Sequence, residues 1–294
     1  MTIETDFSTP LRAAYEFSSS GEESKKNVAN NSISLRAYEL MYTSSCMAAI
    51  YEENRSICKY VHANARGHEA IQLATAMQLL PHDCASPYYR DDAMMLGMGF
   101  SPYDLMLQLL AKANDPFSGG RSYYCHPSSR DPRYPLIPHQ SSATGMQAIP
   151  TTGMAQGIQY KEQQGLLPDN APKSVVLCSI GDNAVTEGEV SEALQFAALK
   201  QLPIIYLVQD NDWGISVSGA EARCMNAYEY AAGFKGLKRV SIDGSDFATS
   251  WKTMHDAIQY VRTKRRPILV HAKVPLLNHH TSGVRQEWYR PALD

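Results

Sequence analysis

Residues 174–216 read SVVLCSIGDNAVTEGEVSEALQFAALKQLPIIYLVQDNDWGIS, and this stretch decides the fold. Ser174 to Ile180 is a short apolar run closed by Gly181. A run of this length and continuity predicts a parallel strand buried on both faces. Glu187 to Lys200 follows as a helix, with Val190, Ala193, Leu194, Ala197 and Ala198 on one face at the i, i+3, i+4, i+7, i+8 spacing. Thr186 and Glu189 have the spacing of a capping box at its start. Pro203 to Val208 is a second apolar run, with proline at its first residue, where no ladder donor is needed.

Working outward, the alternation continues. Arg239 to Ile242 predicts a third strand. Asp246 to Arg262 predicts a helix with Phe247, Trp251, Met254, Ile258 and Val261 turned inward, and Pro267 to Val274 a fourth strand. Strand–helix alternation implies an α/β domain, a parallel sheet with helices on both faces. Upstream, helical patterns cover residues 33–53, 68–80, 103–112 and 149–162. Residues 118–142 carry four prolines and the pair Gly119-Gly120, and predict a long loop of the kind that often carries function. Residues 18–32 are rich in Ser, Glu, Lys and Asn, so residues 1–32 are expected to be a flexible N-terminal segment and residues 33–294 a single domain.

The bulk numbers exclude several classes. The chain has 294 residues, 44% of them hydrophobic, enough for a sizeable core. Twenty-seven basic residues stand against 30 acidic ones, a net charge of −3, which gives no electrostatic footprint for nucleic acid or an anionic membrane. No apolar stretch approaches the roughly 20 residues of a membrane helix. Glu4 and Asp6 near the start disfavour a signal peptide or a mitochondrial presequence, so a cytoplasmic protein is expected. The six cysteines form no CxxC pair, which predicts reduced thiols and no zinc site.

Ligands of parallel α/β sheets sit at the carboxyl ends of the strands. Here one strand ends in Gly181-Asp182-Asn183 and the next in Gln209-Asp210-Asn211-Asp212-Trp213. Asp182 and Asn211 would then lie within reach of one ion, and a carboxylate with an amide oxygen makes a hard pair suited to magnesium shared with a phosphate. The helix that follows Asp182 adds a positive N-terminal end. Asp and Asn are also ordinary turn residues, which is the plainer reading of both ends.

From Gly181 to Asn211 the chain resembles the thiamine diphosphate motif, which runs from Gly-Asp-Gly to Asn-Asn. The likeness extends through Thr186, Glu187-Gly188, Glu192-Ala193, Phe196-Ala197-Ala198, Leu202-Pro203-Ile204 and Gly214-Ile215-Ser216 to the alpha subunits of pyruvate and branched-chain 2-oxo acid dehydrogenases. The resemblance implies a thiamine-diphosphate-binding fold, with magnesium held by Asp182, Asn211 and the carbonyl of Trp213. Gly181, Asn183 and Ala184 would belong to the same cofactor turn. Tyr89 and Arg90 resemble the family's Tyr-Arg that binds the diphosphate. Gly120-Arg121 and His126 resemble its active-site entrance. Residues 141–150, with Ser142 and Thr144, resemble the segment that holds the aminopyrimidine, one residue longer than the usual pattern. Asn278-His279-His280-Thr281-Ser282, followed by Tyr289-Arg290, resembles the active-site loop, with spacing of the branched-chain type. His280 and His126 are its implied catalytic residues.

The chain departs from the pattern at Asn183, in place of glycine, and at Asp210, in place of the first asparagine. Pro275-Leu276 stands where a Tyr-Arg usually precedes the loop, and Val284 and Arg285 stand where acids are usual. The implied activity is decarboxylation of a 2-oxo acid, branched-chain 2-oxoisovalerate or pyruvate, with acyl transfer to a lipoyl group. Implied partners are a beta-type subunit, as a separate chain or a fused half, and the lipoyl domain of the acyltransferase, with an oligomeric assembly. The chain ends soon after Tyr289-Arg290, where relatives continue, so a shortened alpha chain or one half of a longer polypeptide is expected. Competing readings are a transketolase-like transferase half and a non-catalytic structural or regulatory relative. A nicotinamide-binding protein is disfavoured because no G-x-G-x-x-G follows any predicted strand.

Overall fold

The structure is a computed structural model that describes residues 22–138 and 140–290. It opens on α1 (Glu22–Glu53), which no proline or glycine interrupts. The helix therefore begins ahead of residue 33 and takes in residues 22–32, part of the segment expected to be flexible; residues 1–21 lie outside the described residues. Next come α2 (Glu69–Ala76), β1 (Cys84–Ser86), α3 (Asp92–Met98), α4 (Pro102–Leu109) and α5 (Ala148–Gln163). The second half supplies β2 (Val176–Gly181), α6 (Gly188–Lys200), β3 (Ile204–Asp210) and a two-strand hairpin, β4 (Trp213–Gly214) with β5 (Val217–Ser218). Then follow α7 (Gly219–Ala222), α8 (Ala227–Tyr230), β6 (Lys238–Asp243), α9 (Phe247–Lys264) and β7 (Ile268–Lys273).

Five strands make one parallel sheet in the order β1-β2-β3-β7-β6. All seven residues of β3, at its centre, are buried. Successive side chains alternate between the faces. Ile205 and Leu207, with Leu177 of β2, join a core with Ile71 and Leu73 of α2 and Met254 and Ile258 of α9. Ile204, Tyr206 and Val208, with Val176, Cys178 and Ile180, join a second core with Ala155 of α5 and Val190, Leu194 and Ala197 of α6. This is the α/β arrangement read from the sequence, helices on both faces included.

Two local details differ. Thr186 does not cap α6: residues Asn183–Thr186 close a 3-10 turn, and the Thr186 hydroxyl donates to the Asn183 carbonyl at 2.8 Å. The glycine of Glu187-Gly188 starts the helix instead, with Glu187 at the cap position. Strand β1 and helix α3 went unread because both are short, three and seven residues, and lie amid polar neighbours.

One buried ion pair ties the sheet's amino end together. Arg262 of α9 donates to both oxygens of Asp83, at 2.9 and 2.8 Å, and Asp83 also accepts from the Val175 and Leu80 amides. Asp83 is wholly buried, so removing the arginine would strand its charge. Arg262→Ala is expected to cost about 3 kcal/mol in urea denaturation. A loss below about 1 kcal/mol would mean that the pair behaves like a surface bridge.

Candidate functional site

The carboxyl end of β3 carries Gln209, Asp210 and Asn211, all buried. Gln209 is satisfied on every side. Its Nε2 donates to Asp91 at 2.7 Å and to the Ser179 hydroxyl at 2.9 Å, and its Oε1 accepts from Gln72 at 2.9 Å and from His68 Nδ1 at 2.9 Å. With the His68 proton on Nδ1, Nε2 is an acceptor, and the Asn211 amide nitrogen donates to it at 3.1 Å. Asn211 Oδ1 accepts from the Trp213 amide at 3.1 Å. The imidazole thus fixes which way the Asn211 amide points. Burial, with the Arg90 charge adding to it, pushes His68 down to about 3, so it holds this neutral form across the physiological range.

His68 owes its place to Gly67. That residue has φ +98°, and a Cβ there would stand 1.9 Å from the Pro275 carbonyl oxygen. Only glycine lets the backbone pass that close and bring the 275–290 loop over the sheet.

Asp182 directly follows β2 and is buried. Burial raises its carboxyl to about 7; the Asp210 charge adds to this, and Arg223 opposes it. Burial also acts to raise Asp210, but its hydrogen bond from His271 Nε2 at 2.7 Å and the Arg223 charge hold it below the usual carboxylate range. Asn183 packs onto the hairpin so closely that a Cβ at Gly214 would lie 1.6 Å from its Nδ2. Ala184 is buried in the same turn. Gly145 abuts that turn, with its Cβ direction 3.1 Å from Glu187 and 3.2 Å from the Ala184 carbonyl, and Gln147 donates to the Ser179 carbonyl at 2.9 Å. This sets the segment with Ser142 and Thr144, both exposed, beside the end of β2.

Tyr89, Arg90 and His280 meet in the structure. The Tyr89 hydroxyl lies 3.2 Å from His280 Nε2, and Arg90 Nη2 donates to the His280 carbonyl at 2.9 Å. Tyr88 bridges them to β2, its ring 3.6 Å from the Cβ position of Gly181. Burial and the nearby Arg90 charge push His280 far below its ordinary range. The loop closes further through Tyr289, whose ring lies 5.2 Å from that of Trp213, and through Arg290 over the Trp213 ring. Arg90 Nε and His280 Nδ1 are buried without a protein hydrogen-bond partner. His126 is buried in its own loop, with Nδ1 3.2 Å from the Tyr123 carbonyl and its own carbonyl accepting from Gln108 at 3.1 Å. These bonds tie it to α4 and to the 118–142 loop. A groove of about 580 Å³ opens one strand over, at the ends of β6 and β7, between Ser241, Asp243, Lys273 and Pro275.

Sequence reasoning missed His68, Gln209, Arg223 and His271. Gln209 had a signal, a polar residue at the end of an otherwise apolar strand. The others sit on segments whose approach to the site only the tertiary fold determines.

The donor set fits a hard cation bound beside an anion. Carboxylate and amide oxygens gather at two adjacent strand ends, and a cation, the guanidinium of Arg223, already stands among them. The orphaned Arg90 Nε is a buried donor of the kind a phosphate oxygen satisfies. Hard oxygen donors and a buried basic group thus meet at the strand ends of a parallel sheet, where ligands of α/β proteins sit.

Residues 39–294 match the family described as Dehydrogenase E1 component, and the chain belongs to it. It is 26% identical over 261 residues to 2-oxoisovalerate dehydrogenase subunit alpha 2, mitochondrial, of Arabidopsis thaliana, covering 88% of this chain and 52% of that one. It is 28% identical over 229 residues to 2-oxoisovalerate dehydrogenase subunit alpha of Bacillus subtilis, covering 77% and 66%. To pyruvate dehydrogenase E1 component subunit alpha of Mycoplasma genitalium it is 26% identical over 224 residues, covering 76% and 56%. The chain spans about half the length of the Arabidopsis relative. Among solved structures it is similar to a transketolase from Campylobacter jejuni, at 20% identity and TM-score 0.48 over 71% of this chain and 33% of that one.

Asp92, next to the Arg90-Asp91 pair, gives a direct test of the buried charge balance. Burial, then the Glu69 charge, raises its carboxyl to about 8. The native carboxyl therefore keeps its proton from about pH 4 to about pH 8, where the unfolded one has lost it. The native state binds more protons in that window, so stability falls as pH rises. Asp92→Asn cannot titrate, and its stability relative to the parent is expected to improve with pH across the window, by up to about 1.4 kcal/mol per unit. Urea denaturation at a series of pH values checks this; a difference that stays flat would show that Asp92 is ionised in the fold.

Proposed function

We propose that this chain is the alpha-type, cofactor-holding part of the decarboxylating component of a 2-oxo acid dehydrogenase. The observation that carries the reading is that Tyr89 and Arg90 meet His280 on a loop whose Tyr289 packs against Trp213, beside the adjacent strand ends that carry Asp182 and Asn211, with the buried Arg90 Nε lacking a protein partner. Asp182, the Asn211 amide oxygen and the Trp213 carbonyl would hold magnesium. Arg90 and Tyr89 would bind the diphosphate, with the Ser142–Thr144 segment facing the rest of thiamine diphosphate. When bound, that cofactor supplies the electron sink needed to release carbon dioxide from a 2-oxo acid.

The chain's own residues bind, orient and exclude water. His68 turns the Asn211 amide. The 275–290 loop, pinned by Tyr289 on Trp213, covers the strand ends. His280, neutral and held by Tyr89, offers a nitrogen lone pair or an N–H to an acyl group, as transfer to lipoyl needs. The relatives' names point to 2-oxoisovalerate or pyruvate as the substrate, and to a beta-type partner, separate or fused, in an oligomer. Leu35, Tyr38 and Tyr42 on α1 are all more than 60% exposed at i, i+3, i+7 spacing, an apolar stripe suited to such a partner.

Calorimetric titration of thiamine diphosphate into the chain, with and without magnesium, tests the reading. Saturable binding that needs magnesium and disappears in Asp182→Ala is expected. Adding a beta-type chain should then give 2-oxo acid decarboxylation that neither chain shows alone. Absence of cofactor binding both with and without that partner would refute the proposal.

A further inference from the structure

Arg223 begins where the capping-box turn α7 ends, and its guanidinium reaches back between the ends of β2 and β3. All four of its terminal hydrogens are used. Nη1 bonds Asp182 Oδ2 and, at 3.0 Å, Asn183 Oδ1. Nη2 bonds Asp210 Oδ1 at 2.8 Å and Asp212 Oδ1 at 2.9 Å. The side chain is 10% exposed. A Cβ at Gly219 would lie 1.9 Å from Asp212 Oδ1 and 2.7 Å from Arg223 Nη2, so the backbone closes tightly around this pair. Asn183 and Asp210, the two departures from the thiamine diphosphate motif, are both acceptors of this one guanidinium.

A guanidinium and a magnesium ion make different demands on the same oxygens. The first is a planar fork that takes hydrogen bonds in its own plane. The second needs a near-octahedral oxygen shell at about 2.0–2.1 Å. Asp182 turns Oδ2 to Arg223. A metal on the same oxygen would displace the arginine, and a metal on the other oxygen would share one carboxylate with a second cation and be repelled by it.

We propose that Arg223 is a resident cation of the strand-end carboxylates and competes with the divalent metal for Asp182. This rests on the reading of Asp182 as the metal's carboxylate. The guanidinium offsets part of the negative charge of Asp182, Asp210 and Asp212 before the cofactor arrives. The metal gains its place only when the arginine gives up Asp182, which lowers the metal's apparent affinity by the fraction of molecules in which it has done so.

Terbium, an oxygen-seeking cation whose emission Trp213 can sensitise, tests this on the whole chain without cofactor. Arg223→Gln is expected to bind terbium about ten-fold more tightly than the parent. Arg223→Lys keeps the charge and is expected to bind no more tightly than the parent. Asp182→Asn is expected to lose binding. In EDTA, Arg223→Gln should melt below the parent, because its three carboxylates have lost their partner, and millimolar magnesium should raise its melting temperature more than the parent's. Equal, Asp182-dependent affinity in the parent and Arg223→Gln would overturn the competition while leaving the metal site in place. Terbium binding that is absent from every variant, or indifferent to Asp182→Asn, would overturn both.

Discussion

Strand β3 runs through the middle of the sheet with no face open to water, and its last residues are polar. A buried amide or carboxylate without partners costs on the order of 1–3 kcal/mol or more. The surroundings of β3 are shaped by that constraint. Gln209 collects Asp91, Ser179, Gln72 and His68. Asp210 collects His271 and Arg223, and His271 in turn lies 2.9 Å from the Ser241 hydroxyl on β6. Asn211 takes His68 and the Trp213 amide. The partners come from α2, the turn before α3, β2, β7 and the segment after α7, so satisfying one strand end draws most of the functional residues into one place.

The same end of the sheet concentrates charge of both signs. Three aspartates and one arginine share the strand ends, while Arg90 lies buried a short way off under the 275–290 loop. An anionic cofactor with its metal brings opposite charges together, and so changes the local balance little while exchanging the partners of each group. A negatively charged diphosphate alone would face the aspartates, and a metal alone would face Arg223. On the proposed reading the two arrive together, which would let an excess of carboxylates serve a phosphate ligand.

Much of this was legible in the sequence because it rests on local rules. Apolar runs bounded by Gly181 and Pro203 mark strands that are buried on both faces, and the spacing of Val190 through Ala198 marks the helix between them. Adjacent strands then put the ends that carry Asp182 and Asn211 next to each other. Tyr89, Arg90 and His280 were readable only through their likeness to a family, since 190 residues of chain separate Arg90 from His280 and no local pattern joins them. Arg223 and His68 gave no signal. Each is a single polar residue in a polar segment, and its role depends on where a glycine-bearing turn, at Gly219 or Gly67, lets the backbone approach. The reading of Thr186 as a cap failed for a related reason: spacing alone cannot show that the Asn183 carbonyl claims the hydroxyl first.

A crystal structure of the chain grown with thiamine diphosphate and magnesium tests the central claim most directly. The account predicts the metal between Asp182, Asn211 and the Trp213 carbonyl, the diphosphate against Arg90 and Tyr89, and the Arg223 guanidinium turned away from Asp182. Cofactor density in the groove at the ends of β6 and β7, or a metal held by other residues while Arg223 keeps Asp182, would contradict it.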